Sequence, residues 1–192
     1  MATSDLDICN LALTTLGEQT IAALTDDNER AEACNVLWPH VRDAVLAEHP
    51  WNRCIKRVAL SQISGTPAFD YTYQFAYPSD CLRILEPSDQ SDRWTVEIGT
   101  DGATAVLLAD VSEFSIRYIF RNTNVTQYSP GLVMALAARM AAELTQAITA
   151  HRGKFEDFWK VYVAKLALGK NMDGQEGSPR ELEVTTLTTD IR

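Results

Sequence analysis

Long apolar runs are absent from this sequence. No stretch approaches the roughly 18 apolar residues that a membrane-spanning helix needs. The first residues, Met1 to Asp5, lack the basic and apolar regions of a secretory signal. Cysteine is scarce, and no two of the four cysteines have the C-x-x-C spacing of a metal or redox site. These absences predict a protein without a membrane segment, made in a reducing, intracellular compartment with free thiols.

Basic residues are also few. The chain has 17 basic and 26 acidic residues, which gives a net charge of −9, and residues 1–50 carry most of the excess. An acidic surface repels phosphate groups, so tight binding to duplex DNA is disfavoured. The same sign of charge would suit a channel to which DNA does not adhere. It also suits any soluble protein, and on charge alone that second interpretation is favoured.

The first 50 residues show helical periodicity. Ser4 is a predicted N-cap, and Gly17 is the predicted end of the first helix. A second helix is predicted to begin after an N-cap cluster at 25–28 and to end at His49, because Pro50 disfavours helical geometry in the preceding residue. Pro39 lies within this second helix, where a proline costs about 3 kcal/mol or more. The sequence predicts either a kink near 35–38 or two helices with Pro39 at the start of the second.

Alternation with period two replaces the helical pattern after Trp51. Tyr71 to Tyr77 alternates aromatic and small or polar residues, as in a strand with one aromatic face. The runs 94–98 and 105–108 flank Gly99-Thr100-Asp101-Gly102, which predicts a hairpin. Further short strands are predicted at 81–85 and 115–120. Residues 51–127 are therefore predicted to form a small antiparallel β region.

Helical periodicity returns at Ser129-Pro130, a predicted N-cap followed by proline at the first helical position. Gly153 separates this helix from a fourth, aromatic-rich helix, which is predicted to end near Gly169. An extended arm is predicted for residues 173–192. The predicted fold class is therefore α+β. It consists of an antiparallel-type bundle of about four helices (1–50 and 128–172) with an inserted β region (51–127), and residues 1–172 form one structural domain.

Several residue clusters superficially suggest chemistry. Cys34, His40 and Asp43 offer a nucleophile, a base and an orienting carboxylate, but Cys34 and His40 are nearly two helical turns apart with Pro39 between them. Together with Cys54, His40 and His49 do not have the spacing of a structural zinc site. The acidic run at 26–29 lacks the central glycine of a calcium loop and is interpreted as an N-cap. No catalytic residue, metal site or cofactor is therefore predicted.

Two further features have a functional and a structural interpretation. Arg53, Lys56 and Arg57 form a basic cluster that could contact nucleic acid or an acidic partner, although a solvated strand face that balances the acidic helices is favoured. The aromatic residues of 71–77 resemble a stacking platform for bases. No basic residues are interleaved with them, so packing in the core is favoured.

The chain as a whole resembles a known family. It is similar to the head-to-tail adaptor proteins of short-tailed phages and related prophages, also called tail tubular protein A, gatekeeper or head-completion proteins. The resemblance extends over nearly the whole chain and depends on an ordered succession of segments rather than on one motif. These segments are Leu11 through Leu16-Gly17 and Ile21, Arg30-Ala31, Cys34-Asn35, Val41-Arg42-Asp43, Val45-Leu46, His49-Pro50-Trp51, Ala59-Leu60, Tyr71 to Tyr77, Pro78-Ser79-Asp80-Cys81-Leu82-Arg83, Leu132 to Leu144 and Gln175-Glu176-Gly177.

This resemblance implies a structural protein of the virion rather than an enzyme. The family members assemble as a dodecameric ring beneath the portal protein and receive the tail tube or nozzle protein below. DNA passes through their central channel without specific binding. The expected location is the head–tail junction of the virion, after synthesis in the cytoplasm of the bacterial host. Pro39 departs from the family pattern, in which this helix is usually continuous.

The resemblance also implies roles for particular residues. The family uses its C-terminal segment to dock on the portal, which assigns that role here to Gln175, Glu176, Leu182, Val184, Leu187 and Ile191. Arg42, Asp43 and Glu48 are interpreted as helix-surface or inter-subunit pairing groups, and Trp51 as the wedge between helices and sheet. Two alternatives remain open. One is another neck component, such as a tail-completion or tail-terminator protein. The remote one is a hydrolase built on Cys34 or Cys81.

Overall fold

The computed structural model describes residues 4–148 and 153–177. Within these ranges the α-helices are α1 (Asp5–Leu16), α2 (Glu29–Glu48), α3 (Pro130–Ala147) and α4 (Phe155–Gly174). The strands are β1 (Ile55–Ala59), β2 (Tyr73–Ala76), β3 (Cys81–Pro87), β4 (Trp94–Ile98), β5 (Ala105–Ala109) and β6 (Ser115–Phe120). Two short 3₁₀ turns cover Asn52–Cys54 and Val125–Gln127. The predicted α+β class is confirmed.

Local capping sets the beginnings of the first two helices. The Ser4 hydroxyl accepts the N–H of Asp7 at 3.2 Å, and the Asp7 carboxylate accepts the N–H of Ser4 at 3.1 Å. Gly17 ends α1 with φ +79°, a conformation that residues with a Cβ seldom adopt. The side chain of Asn28 accepts the N–H of Ala31 at 3.0 Å and so caps α2. These predicted caps are confirmed.

Helix α2 is continuous through Pro39, so the alternative of two separate helices is wrong. Proline removes the hydrogen bond to the carbonyl of Asn35. Both Asn35 and Pro39 lie on the exposed face of α2, where that carbonyl can bond to water. The opposite face carries an apolar stripe whose members are all buried: Ala31, Cys34, Trp38, Val41 and Val45. Burial of this stripe offsets the cost of the proline.

Helix α3 is the centre of the bundle, because α1, α2 and α4 all pack against it. Leu136, Met140 and Leu144, spaced by four residues, are fully buried on this helix. At the crossing of α3 and α4, Gly131 faces Gly169. A methyl group on Gly131 would lie 2.8 Å from the Cα of Gly169. The two glycines therefore permit a close approach of the helices.

The β region between α2 and α3 consists of two three-stranded antiparallel sheets, with strand orders β1-β6-β3 and β2-β5-β4. The predicted hairpin is present as β4 and β5, with Trp94 opposite Ala109 and Ile98 opposite Ala105. Strand β6 joins the β region to the bundle. Its Ile119 is buried in the helical core, whereas Tyr118 is buried in the smaller core of the β region.

The last helix is longer than the sequence predicts. Helix α4 continues to Gly174 instead of ending near Gly169, so Asp173 belongs to the helix and not to an extended arm. Among the proposed portal-docking residues, Gln175 and Glu176 complete the last turn, since their N–H groups bond to the carbonyls of Met172 and Asp173. The others lie outside the described residues: Leu182, Val184, Leu187 and Ile191. No helix of the described ranges is both long enough and apolar enough to cross a bilayer.

Candidate functional site at the helix–sheet junction

Trp51 occupies the point at which α2 gives way to β1. Its side chain is 1% exposed, and the indole N–H donates to the carbonyl of Val45 at 3.0 Å. The ring of His49 stands edge-on to it, with ring centroids 4.8 Å apart. A methyl group on Gly169 would lie 3.1 Å from the indole, so the glycine leaves room for the ring against α4. Trp51 thus lies in the same buried cluster as all four helices and β6.

Asp173 ties the end of α4 to this junction. The backbone N–H of Asn52 donates to both carboxylate oxygens of Asp173, at 3.1 and 3.2 Å. In return the Asn52 side-chain amide donates to the Asp173 carbonyl at 2.6 Å. Asp173 is 4% exposed, so these bonds compensate a buried carboxylate. The sequence interpretation missed this contact, which joins residues 121 positions apart.

His49 is the third member of the junction. Its Nε2 lies 3.3 Å from Asp173 Oδ2, close enough for an ion pair but outside hydrogen-bond geometry. Burial lowers the pKa of His49 below its ordinary value of 6.5, and the nearby cations Lys170 and Arg83 act in the same direction. These effects outweigh the attraction of Asp173. The environment therefore favours the neutral imidazole.

Glu48, a predicted inter-subunit residue, has partners within the chain. Its carboxylate accepts the hydroxyl of Tyr162 and lies 3.5 Å from Lys170 Nζ. Burial and the bond to Glu48 raise the pKa of Tyr162, so the phenol stays protonated and donates. Glu48 therefore connects the end of α2 to α4.

Arg42 and Asp43 are also paired within the chain. Arg42 contacts the Asp43 carboxylate at 2.8 Å. The other carboxylate oxygen of Asp43 lies 2.6 Å from Arg121 Nε, just after β6. Asp43 thus bridges α2 and the end of the β region. The prediction that these residues act between subunits stays a prediction.

The predicted basic cluster is divided by the structure. Arg53 lies 3.5 Å from Glu176 at the end of α4. Lys56 lies 2.6 Å from Asp80 and 4.0 Å above the ring of Phe120. Arg57 points to the opposite face of the strand from Lys56, because side chains alternate in a strand. The three cations therefore do not form one surface.

Arg57 instead faces an open groove of about 770 Å³ on the β1-β6-β3 sheet. In the strand register Arg57 is directly opposite Arg117 of β6, and Arg117 is opposite Glu86 of β3. Arg117 contacts Glu86 at 3.1 Å, while its Nε is shielded from solvent and has no hydrogen-bond partner among the described residues. Like charges directly opposite each other destabilise a sheet. The groove thus presents uncompensated positive charge on an acidic protein.

The four cysteines are free thiols. Cys34 is fully buried, and its partner is the thiol of Cys9 on α1 rather than His40, which is exposed. The hydrogen bond that the Cys9 thiol donates to Cys34, together with burial, raises the pKa of Cys9, and the same bond lowers the pKa of Cys34. Burial also raises the pKa of Cys81 and, to about 12, that of Cys54. Neither Cys34 nor Cys81 combines the low pKa and open access of a catalytic thiol.

The remaining candidates have structural partners. In the acidic run, the Asp26 carboxylate accepts the N–H groups of Ala22 and Ala23, at 2.9 and 3.2 Å. In the aromatic segment, Phe75 is fully buried, and Tyr71 and Tyr77 lie outside β2. Within the described ranges, no group of three or more histidine, cysteine, aspartate or glutamate residues could hold a metal ion.

No protein-family model matches this chain. The comparison with curated proteins finds no match either.

Proposed function

We propose that this chain is a structural head-to-tail connector of a phage or prophage virion. It docks beneath the portal protein as a dodecameric ring, extends the DNA channel and receives the tail tube or nozzle protein. The proposal depends on the ordered succession of segments that resembles the adaptor family. The acidic sequence, with a net charge of −9, suits a channel through which DNA passes without binding.

The observation that supports this function most is the way the bundle is built. Helices α1 and α2 precede the β region, α3 and α4 follow it, and all four enclose one core. A helical bundle with an inserted β region is the architecture that the resemblance implies. Asp173 and Asn52 join the end of α4 to the junction between α2 and β1, four residues before the described structure ends at Gly177. A bundle with a single continuous core suits a subunit that has one partner above and another below.

The experiment is co-purification with the portal and tail proteins encoded in the same genome. We expect the full chain to bind the portal and to form a ring on it that is visible by electron microscopy. A chain ending at Gly177 should keep its fold and lose portal binding, because it retains Asp173 and Glu176 but lacks residues 178–192 of the predicted arm. An earlier cut would also remove the contacts of Glu176 with Arg53 and so confuse folding with docking.

The outcomes separate the alternatives. Unchanged portal binding by the chain ending at Gly177 would contradict a docking role for residues 178–192. Binding to the tail protein but not to the portal would favour a tail-completion or tail-terminator protein. Hydrolytic activity that is lost on blocking Cys34 or Cys81 would contradict the structural role.

A further inference from the structure

Strand β1 is an edge strand with an open side. It pairs with β6 on one side, and within the described ranges no strand pairs with its other side. Four of its five residues, from Lys56 to Ala59, are exposed. The outward N–H and C=O groups of such an edge are available to another strand. The edge can therefore accept one more extended segment.

At the same edge of this sheet, one basic side chain has no acidic partner among the described residues. Reading from β3 to β1, one row contains Glu86, Arg117 and Arg57. Arg57 makes no hydrogen bond or ion pair with another described residue, although its two neighbours contact each other. An acidic residue on a strand beside β1 would complete the row as acid, base, base, acid. Opposite charges on neighbouring strands stabilise a sheet.

The chain itself leaves the described structure next to this edge. Glu176 lies 3.5 Å from Arg53, two residues before β1 begins, and the description ends at Gly177. From Arg53 to Arg57 the backbone spans at most about 13 Å, and the five residues from Glu176 to Glu181 reach about 17 Å when extended. Glu181 can therefore lie beside Arg57.

The sequence that follows has strand character. Pro179 lacks an N–H and is tolerated at the start of an edge strand. Residues 181–184 alternate acidic and apolar side chains, and several threonines follow. A segment that runs from Arg53 along β1 is parallel to it, and in the register that sets Glu181 beside Arg57, Glu183 is beside Ala59. Parallel and antiparallel pairs can occur together in one sheet.

We propose that in the free protein the C-terminal segment 178–192 binds the open edge of β1 in the same chain, with Glu181 paired to Arg57. The segment can reach β1 of its own chain from Gly177, so the pairing does not require a second copy of the protein. The proposal concerns the free protein and does not depend on the connector function. If portal docking uses the same segment, the segment leaves β1 when it docks.

Hydrogen exchange followed by mass spectrometry tests this on the full-length protein. We expect peptides covering β1 to exchange about tenfold faster in a chain ending at Gly177 than in the full chain, because the outward amides lose their acceptors. Glu181→Lys and Arg57→Glu should each accelerate exchange of β1 about two- to fivefold, the size expected of one cross-strand charge pair. The double variant R57E/E181K should restore slow exchange.

Asp190→Lys is the matched control, because it makes the same change of charge in the same segment beyond the end of β1. It should leave the exchange of β1 unchanged. Equal exchange in the full and shortened chains would overturn the proposal, as would equal effects of D190K and E181K. Protection of β1 that increases with protein concentration would assign the segment to a second copy and would also overturn it. Portal binding is scored separately, so failure here leaves the proposed function standing.

Discussion

Replacement of Gly131 by alanine tests the close crossing of α3 and α4. The added methyl group would lie 2.8 Å from the Cα of Gly169 and 3.5 Å from its carbonyl oxygen. Carbon atoms in ordinary contact are about 3.5–4.0 Å apart, so α4 must shift by about 1 Å. Gly169 also lies against Trp51, and Asp173 one turn later bonds to Asn52. The shift therefore reaches the junction.

Two opposing effects set the magnitude. Overpacking of this kind costs about 1–3 kcal/mol. Alanine is favoured over glycine in a helix interior by about 1 kcal/mol, but Gly131 is in the first turn of α3, where the gain is smaller. We expect a net loss of about 1–2 kcal/mol in the free energy of unfolding.

Urea unfolding followed by circular dichroism measures this loss as a lower midpoint with an unchanged slope. Gly174→Ala is the matched control, because a methyl group at Gly174 meets nothing within 4 Å. That variant should be as stable as the wild type or slightly more stable. If G131A were also as stable as the wild type, the argument that the crossing requires a glycine would be refuted.

Three further predictions concern the junction. Trp51→Ala should lower the free energy of unfolding by about 3–5 kcal/mol in urea titrations, since it removes a fully buried ring; a loss below about 1 kcal/mol would show that the ring does not hold the junction. Asp173→Ala should cost about 1–3 kcal/mol, because it leaves the N–H of Asn52 without its acceptor, and wild-type stability of this variant would contradict the contact. The lowered pKa of His49 means that the unfolded chain takes up a proton before the folded chain does. The contribution of His49 to the free energy of unfolding should be fully present above pH 6.5 and should decrease as the pH falls below that value. Urea midpoints measured from pH 7.5 to about 5.5 should therefore fall with pH, and His49→Gln should weaken that fall.

The helix beginnings were predictable because their causes are local. Ser4, Asn28 and Ser129 each accept an N–H from a residue three positions later, so a short stretch of sequence contains both partners. The hairpin of β4 and β5 is equally local, with its turn between the two strands. Continuity through Pro39 was less predictable, because it depends on which face of α2 the fold exposes.

The end of α4 could not be predicted in the same way. A glycine after an aromatic-rich helix is typical of a helix end, but Gly169 is instead required by the approach of Gly131, 38 positions earlier. The role of Asp173 likewise depends on Asn52, far away in the sequence. Small residues and single carboxylates carry no sequence signal for distant contacts of this kind.

The charges of the groove on the β1-β6-β3 sheet likewise could not be predicted from the sequence. Sequence proximity places Arg57 with Arg53 and Lys56, whereas the strand register places it with Arg117, 60 positions later. Because the side chains of adjacent strand residues point to opposite faces, neighbours in the sequence are separated in space. The pairing of β1 with β6 decides which charges meet, and composition does not reveal that pairing.

The central position of α3 also fixes when the protein can fold during its synthesis. Helices α1 and α2 contact each other little and bury their apolar faces mainly on α3, which begins at Pro130. At about 5–20 residues per second, the ribosome needs roughly 4–16 s to make the intervening chain of about 80 residues. During that interval the stripe of α2, with Trp38 and Val45, lacks α3, the main surface against which it packs. Transiently exposed apolar surface of this kind makes a partly folded chain prone to aggregation.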